Sequence, residues 1–430
     1  MSAEAIGILG IVVLLILMLC NIRLGTCFII VGFIGYGVIS GWDKAFLMIG
    51  MEPFAQMNYT FTVVPLFLFM GAIVAVSGIN ADLYQAVRKW MGHIRGGLAM
   101  ATCVASGIFA AVCGTSLAGV VAMGNVAYPE MKRYKYDDRL SGAAIAAGGT
   151  LGILIPPSIP FILYGLITEQ SIGKLFIAGI IPGLLEILFY ILAIYIMCKI
   201  NPKYGPAGPR VVFKEKVLGL KYVWPMLLIV SMVLGGIYGG IFTPTEAGAM
   251  GAFSSIIVCL LLRRLKKSQF REALIETTRS AAMIIFMLIG AFIFMRFITV
   301  SGLPNTISEF IVNISAPPFL IIVGILSVYI LLGCFMDALI IVLLTVPIIY
   351  PTVLALGYHP IWWGVLMVRV IEVGMVTPPF GMNLFVLSKA INVSVGKLYR
   401  GIIPFTIADF AHILLLAFFP QLSLFLVNLI

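Results

Sequence analysis

Apolar runs of about eighteen residues or more follow one another along the whole length of this chain, and that recurrence decides its solvent. Lipid offers no partners to backbone N–H and C=O groups, so each run has to satisfy its own as a transmembrane helix. Composition agrees. Hydrophobic residues make up 62% of the 430 positions and charged residues 10%, whereas a soluble domain needs about a quarter charged residues. The chain reads as an all-α polytopic membrane protein. Its net charge of +10 does not point to nucleic acid, and takes its meaning from where the basic residues lie.

The first run, "AIGILGIVVLLILMLC", has no basic n-region and no small-residue cleavage site ahead of Cys20, so it reads as a span and not as a signal peptide. Spans are expected at about 4–22, 25–42, 60–78 and 175–199, with a pair of half-segments in 98–127 and a broken span over 141–168. After a polar linker come 222–242, 245–262 and 280–300, a second pair of half-segments in 318–350, a broken span over 361–388, and 401–428. The seven cysteines lie in or beside apolar runs without CxxC spacing, which reads as packing and not as metal or disulfide chemistry.

The halves match. "SIGKLFIAGIIP" (171–182) returns as "SVGKLYRGIIP" (394–404), and Tyr128-Pro129, Gly152 and Pro156-Pro157 return as Tyr350-Pro351, Gly374 and Pro378-Pro379, all at an offset of 222. Several landmarks at one offset identify an internal duplication: residues 1–200 as the first repeat, 201–217 as a cytoplasmic linker and 218–430 as the second repeat. If the amino terminus is periplasmic and each hairpin is re-entrant, cytoplasmic loops hold 23 of the 27 Lys and Arg. Lys44 and Lys174 fall outside, and Arg296 and Arg369 within spans. That is the positive-inside bias. Each repeat then makes five crossings, an odd number, so the two have inverted topology.

Pro156-Pro157 and Pro378-Pro379 interrupt otherwise apolar runs. Proline removes a donor and clashes with the preceding turn, freeing carbonyls that lipid cannot satisfy. One reading is a pair of packing kinks. The other is a pair of ion sites, since inverted repeats with paired broken helices present freed carbonyls to a coupling cation and helix N-termini to an anionic solute. Symmetry, and the polar hairpin tip preceding each break, favour the second.

The first tip reads "AAVCGTSLAGVV", with Gly114, Thr115 and Ser116; the second reads "GCFMDALII", with Asp337 at the position of Thr115. Hydroxyls and carbonyls are hard donors suited to Na⁺, although Thr and Ser hydroxyls also bond back into their own helix. A carboxylate at membrane depth is a functional candidate by default. Arg296 sits mid-span, where its fork suits a carboxylate solute and equally a structural partner. Arg369 and Glu372 are three apart on one helix face and read mainly as a mutual pair that orders the broken helix. Thr243, Pro244 and Glu246 form a helix-capping pattern.

Absences narrow the class. Gly-Lys at 173–174 and 396–397 lacks the rest of a P-loop, which excludes transport driven by ATP hydrolysis in this chain. "GTSLAG" is not a nucleophile elbow, and no nucleophile with a base is evident for an intramembrane hydrolase. The remaining classes are a binding-protein-dependent Na⁺-coupled carrier, a stand-alone cation-coupled carboxylate carrier, and a membrane enzyme or scaffold subunit.

The motifs "GTS", "GTLGILIPPS", "IAGIIPG", "GIFTPTEAGAMGAF", "GCFMDA" and "VGMVTPPFGMNLFV" together resemble the large membrane subunit (DctM-like) of tripartite ATP-independent periplasmic (TRAP) transporters, over essentially the whole chain. The resemblance implies an Na⁺-coupled symporter of organic acids in the bacterial inner membrane, working by an elevator motion of a transport domain against a scaffold. It also implies two partners, a small membrane subunit on a separate polypeptide and a periplasmic substrate-binding protein. By the same resemblance one Na⁺ site involves Gly114, Thr115 and Ser116 with the backbone of Gly152, Ile155 and Pro156. The second involves Asp337 with Gly374 to Thr377. Arg296, Ser158 and Asn383 are then the expected contacts of a carboxylate solute. The small residues of 98–127 and 141–152 are expected to allow close, smooth helix surfaces.

Overall fold

The computed structural model describes residues 1–20, 22–55, 59–314 and 316–429, and all regular structure among them is helical. The first half comprises α1 (Ala3–Leu19), α2 (Leu24–Ser40), α3 (Trp42–Ala55), α4 (Val63–Ser77) and α5 (Ile79–Met91). It continues with α6 (Gly97–Cys113), α7 (Ser116–Arg133), α8 (Asp138–Leu154), α9 (Ile159–Thr168) and α10 (Ile172–Ile200). The second half comprises α11 (Phe213–Leu220), α12 (Trp224–Tyr238), α13 (Pro244–Leu261), α14 (Lys267–Val300) and α15 (Leu303–Val312). Then come α16 (Pro318–Phe335), α17 (Ala338–Ala355), α18 (Pro360–Val376), α19 (Met382–Ile391), α20 (Val395–Phe418) and the turn α21 (Gln421–Leu424).

The element order repeats: α1 and α2 return as α12 and α13, and α6 to α10 as α16 to α20. One pair departs. The first half has separate helices α3 and α4, where the second has the single 34-residue rod α14. Pro53, near the end of α3, removes a donor that a continuous helix needs, and its counterpart 222 residues on is Ile275.

Eight helices among the described residues are long and apolar enough to cross a membrane, or nine if the bent pair α11 and α12 is counted as one span. α1 and α2, at 17 residues each, are shorter than these. Two expectations need correcting. The hairpin limbs are 17 to 18 residues long, not half-segments; part of α7 lies beyond the apolar stretch, where it carries Glu130, Lys132 and Arg133. The amphipathic helices α3, α5 and α15 were not expected as elements, because their apolar stripes are too narrow for a hydropathy reading.

The helices sort into two bodies. In an outer frame α14 packs on α2 and α4, and α13 on α4 and α12. Glycines make these crossings close: a Cβ on Gly290 would lie 2.6 Å from the Gly25 carbonyl, and one on Gly35 would lie 2.4 Å from the Phe297 ring. The inner body contains α6 to α10 and α16 to α20, interlocked so that α19 lies on α7 and α9 on α17. The small residues of α6 and α8 are buried within this body. They serve its internal packing more than a sliding surface, although Gly71 of α4 does meet Val112 and Cys113 at the boundary.

Two arms join the bodies. α5 is pinned to α7 by Arg88–Glu130 at 2.9 Å, and to the turn after α13 by Asp82 with Arg264. α15 lies along α17. The linker is not a loose tether. Gly96 donates to Gly205 at 2.8 Å, Asp137 to Tyr204 at 3.0 Å and Gly208 to Gly92 at 2.9 Å.

A buried ionic cluster holds the inner body at its centre. Arg369 meets Glu372 at 3.2 Å as expected, but also Glu186 at 3.2 Å, Asp409 at 2.5 Å and His412 at 3.0 Å. One guanidinium thus ties α10, α18 and α20 together across the two repeats. The expected cap at Glu246 is present as a reciprocal box with Thr243.

Candidate functional site

Both hairpin tips reach one cavity between the inner body and the frame, and a broken helix stands behind each. α6 ends at Cys113, and the φ of +67° at its C-cap Gly114 lets the chain reverse within two residues into α7. Thr115, at the N-cap of α7, is extended and makes no side-chain capping bond. α8 ends at Leu154 and α9 begins at Ile159. Between them Ile155 is extended and the Pro156–Pro157 peptide is cis. Tip and break meet backbone to backbone. The Ile159 N–H donates to the Gly114 carbonyl at 3.3 Å. A Cβ on Gly152 would stand 2.7 Å from the Thr115 carbonyl oxygen, and one on Gly114 would stand 3.2 Å from that of Pro157. Glycine at both positions is what lets these carbonyls converge.

The second unit is built differently. α16 ends at Phe335, Met336 is extended, and Asp337 caps α17 by accepting the Leu339 N–H at 3.0 Å. α18 ends at Val376 before a second cis peptide, Pro378–Pro379. The closest tip-to-break approach falls higher on the hairpin, where a Cβ on Gly374 would lie 2.6 Å from the Gly333 Cα and the Ile330 carbonyl. The Thr377 hydroxyl donates back to the Val373 carbonyl at 2.5 Å. Asp337 is the feature the first unit lacks.

The cavity has a volume of about 420 Å³. Thr115, Ser116, Asp337 and Met375 line it from the inner body, and Gly71, Glu276, Thr277 and Ser280 from the frame. Glu276 and Ser280 also line an adjoining vestibule of about 550 Å³ with Arg271, Glu272 and Arg279. The site therefore opens along α14 toward its amino-terminal end.

The three expected solute contacts are not brought together. Ser158 is fully buried; its hydroxyl donates to the Ile153 carbonyl and accepts the Phe161 N–H at 3.4 Å, which caps α9. Asn383 is also fully buried, and its amide donates to the Ser116 hydroxyl at 2.6 Å, bracing α7 from α19. Arg296 pairs with Glu52 at 3.2 Å and lines a separate cavity of about 540 Å³ with Tyr36 and Glu169. Sequence reasoning missed Glu276, Thr277 and Ser280 as cavity residues, because charges at 271, 272, 276 and 279 put the expected span's start at 280. It also missed Glu186 and Asp409. Their signal was present: acids in apolar helices, one position apart once the repeats are superposed at 222.

No group of three or more His, Cys, Asp or Glu able to hold a metal occurs among the described residues, so a transition-metal centre is not supported there. A hard monovalent cation asks for oxygens, which Gly114–Thr115 and the break at 152–156 bring together at a cradle that a Cβ would fill. The first unit fits such an ion. The second offers a carboxylate, with its break contact displaced from it.

The family profile described as the DctM component of the tripartite ATP-independent periplasmic transporter matches residues 11–422. The chain is similar to a C4-dicarboxylate TRAP transporter large permease protein of Pseudomonas aeruginosa, 36% identical over 86% of this chain and 87% of that one. It is similar also to an ectoine/5-hydroxyectoine TRAP transporter large permease protein of Ruegeria pomeroyi, 34% identical over 85% of each. Its fold is similar to the crystal structure of the Alcanivorax borkumensis YdaH transporter, with a TM-score of 0.67 and 14% identity over 89% of both chains.

Proposed function

The chain belongs to the DctM-component family of tripartite ATP-independent periplasmic transporters, and from that premise we propose that it imports a carboxylate-bearing organic acid by Na⁺ symport. The observation that carries this reading is the meeting of two hairpin tips at one cavity, each with a glycine-packed helix break behind it. Gly114, Thr115 and Ser116, with the backbone of Gly152, Ile155 and Pro156, would hold one Na⁺. Asp337, with Gly374 and Thr377, would hold the other. Na⁺ supplies positive charge that offsets the solute carboxylate in a water-poor cavity.

The protein's own residues set the rest. Asn383 orients the Ser116 hydroxyl, and Ser158 holds the start of α9 under the break. The inner body, locked by Arg369, is rigid enough to move as one piece against the frame, with the α5 and α15 arms as its tethers. That is an elevator motion, and the present cavity is its cytoplasm-facing state if the basic loops are inside and the amino terminus is periplasmic. Solute is delivered by a periplasmic binding protein, and a small membrane subunit covers part of the frame.

The test is the thermal-unfolding midpoint across a Na⁺ titration, with choline holding ionic strength constant, followed by uptake into proteoliposomes. A Na⁺-specific rise is expected, because binding to the native state adds RT ln(1 + [L]/Kd). Uptake is expected only with the binding protein and small subunit present. A flat titration with a folded protein overturns the Na⁺ sites, and uptake by the chain alone overturns the dependence on partners.

A further inference from the structure

We infer that α11, with the stretch of linker before it and α5 behind it, is a docking surface for the anionic phospholipid headgroups of the leaflet on the linker side of the membrane.

Placement is the first argument. α12 belongs to a span, and α11 leaves it at 47° across the short turn that separates them. A helix turned that far from a span lies obliquely at the membrane surface. Tyr222 and Trp224 are exposed at the bend, and such aromatics mark the headgroup level of a bilayer. Leu227 and Leu228 continue the exposed apolar surface along α12, so it runs without a break into one that faces acyl chains.

The faces of α11 point the same way. Gly219 is buried against α5, so closely that a Cβ on it would lie 3.1 Å from the Lys89 Cδ. Phe213, Val217 and Leu220, spaced four and three apart, form a stripe turned away from that contact, and they are 69%, 46% and 48% exposed. The Trp90 ring of α5 meets Phe213 edge-on, with centroids 6.2 Å apart, and widens the stripe. An exposed apolar stripe flanked by lysines is what an interfacial helix presents to the boundary between headgroups and acyl chains.

Charge is the independent argument. Lys214, Lys216 and Lys221 border the stripe, and the Lys216 ammonium lies over the Trp90 ring at 5.9 Å from its centroid. The linker adds two more cations. Its pairing of Gly205 with Gly96 and of Gly208 with Gly92 sets Arg210 and Arg95 beside the same end of α5. None of these five enters an ion pair among the described residues. The neighbouring acids are committed, Glu130 to Arg88 and Asp82 to Arg264, which leaves Glu215. The surplus is complementary to the phosphodiester of an anionic lipid. Because Arg88–Glu130 fastens α5 to the inner body, lipid held here also fixes that arm at the membrane surface.

The experiment places the full chain in phosphatidylcholine nanodiscs with a minor fraction of dibrominated phosphatidylglycerol, or the same fraction of dibrominated phosphatidylcholine, and measures tryptophan quenching. Phosphatidylglycerol should quench roughly threefold more. The excess should vanish when Trp90→Phe and Trp224→Phe are combined, which locates it. It should fall to the phosphatidylcholine level when Lys214→Gln, Lys216→Gln and Lys221→Gln are combined, with the unfolding midpoint in neutral detergent unchanged, and survive the matching Lys→Arg set. Equal quenching by the two lipids, or an excess untouched by the Gln set, overturns the inference. So does loss of the excess when the small membrane subunit is co-purified, which would give the surface to that partner.

Discussion

The two hairpin–break units share an offset and a break, but not a chemistry. In the first, Gly114 and Gly152 bring tip and break together, so its oxygens come from carbonyls and hydroxyls. In the second, a carboxylate stands where Thr115 stands in the first, and the glycine contact has moved up the hairpin to Gly333 and Gly374. The contrast continues beneath. Ala147 and Thr150 of α8 occupy the positions of Arg369 and Glu372 of α18, so the buried ionic cluster is centred on the second repeat. Duplication kept the backbone geometry, which sterics enforce, and left the charges free to diverge. A pair of chemically unlike units follows, so the two ion sites proposed at them need not bind with equal strength.

The largest effect should come from the cluster. Arg369→Ala leaves buried carboxylates without their cation and should cost about 3–5 kcal/mol, read by chemical denaturation in micelles, whereas Ala147→Ser at the equivalent place should cost far less. Equal losses would mean that Arg369 does not hold the inner body together.

Gly152→Ala and Gly374→Ala each force a Cβ onto backbone and should each cost about 1–3 kcal/mol. They separate in a second readout. Gly152→Ala should also shift the Na⁺ dependence of the unfolding midpoint, because it pushes directly on the tip carbonyl of Thr115. Gly374→Ala, which presses on α16, should shift it less.

At the tips themselves, Asp337→Asn should weaken the apparent Na⁺ affinity about tenfold, or ~1.4 kcal/mol, and Thr115→Val less. The reverse order would assign the stronger site to the first unit. Asn383→Ala, which removes the brace on Ser116, should cost about 1 kcal/mol and disturb the first site only.

The smallest difference lies at the helix entrances. Asp137 caps α8 and His359 caps α18 at equivalent positions. Asp137→Ala should cost about 1 kcal/mol and His359→Ala less. Hydrogen bonds from Arg139 hold the Asp137 carboxyl below its ordinary value, against the opposing effect of burial. Its contribution is therefore complete above that ordinary value and is lost as pH falls through the lowered one. In Asp137→Ala the acid limb of the stability profile should flatten accordingly.

Much of this was legible in the order of residues. Composition and run length settle the solvent and the helical class, because lipid leaves the backbone no other partner. The 222-residue offset exposes the duplication, the Pro-Pro pairs mark both breaks, and Thr115, Ser116 and Asp337 are identified at the tips; all three line the cavity. Local rules were enough for the Thr243–Glu246 cap as well.

What needed the tertiary structure is everything that depends on which distant helices touch. The family resemblance implies Ser158 and Asn383 as solute contacts, and packing turns both inward. Arg296 finds Glu52, which lies 244 residues away. Glu276 looks like one charge among several at a helix end until α14 is seen crossing behind both tips. A side chain's type and spacing follow from the sequence, but its partner is set by how whole helices pack, and burial decides whether its charge is spent on the fold or faces the cavity.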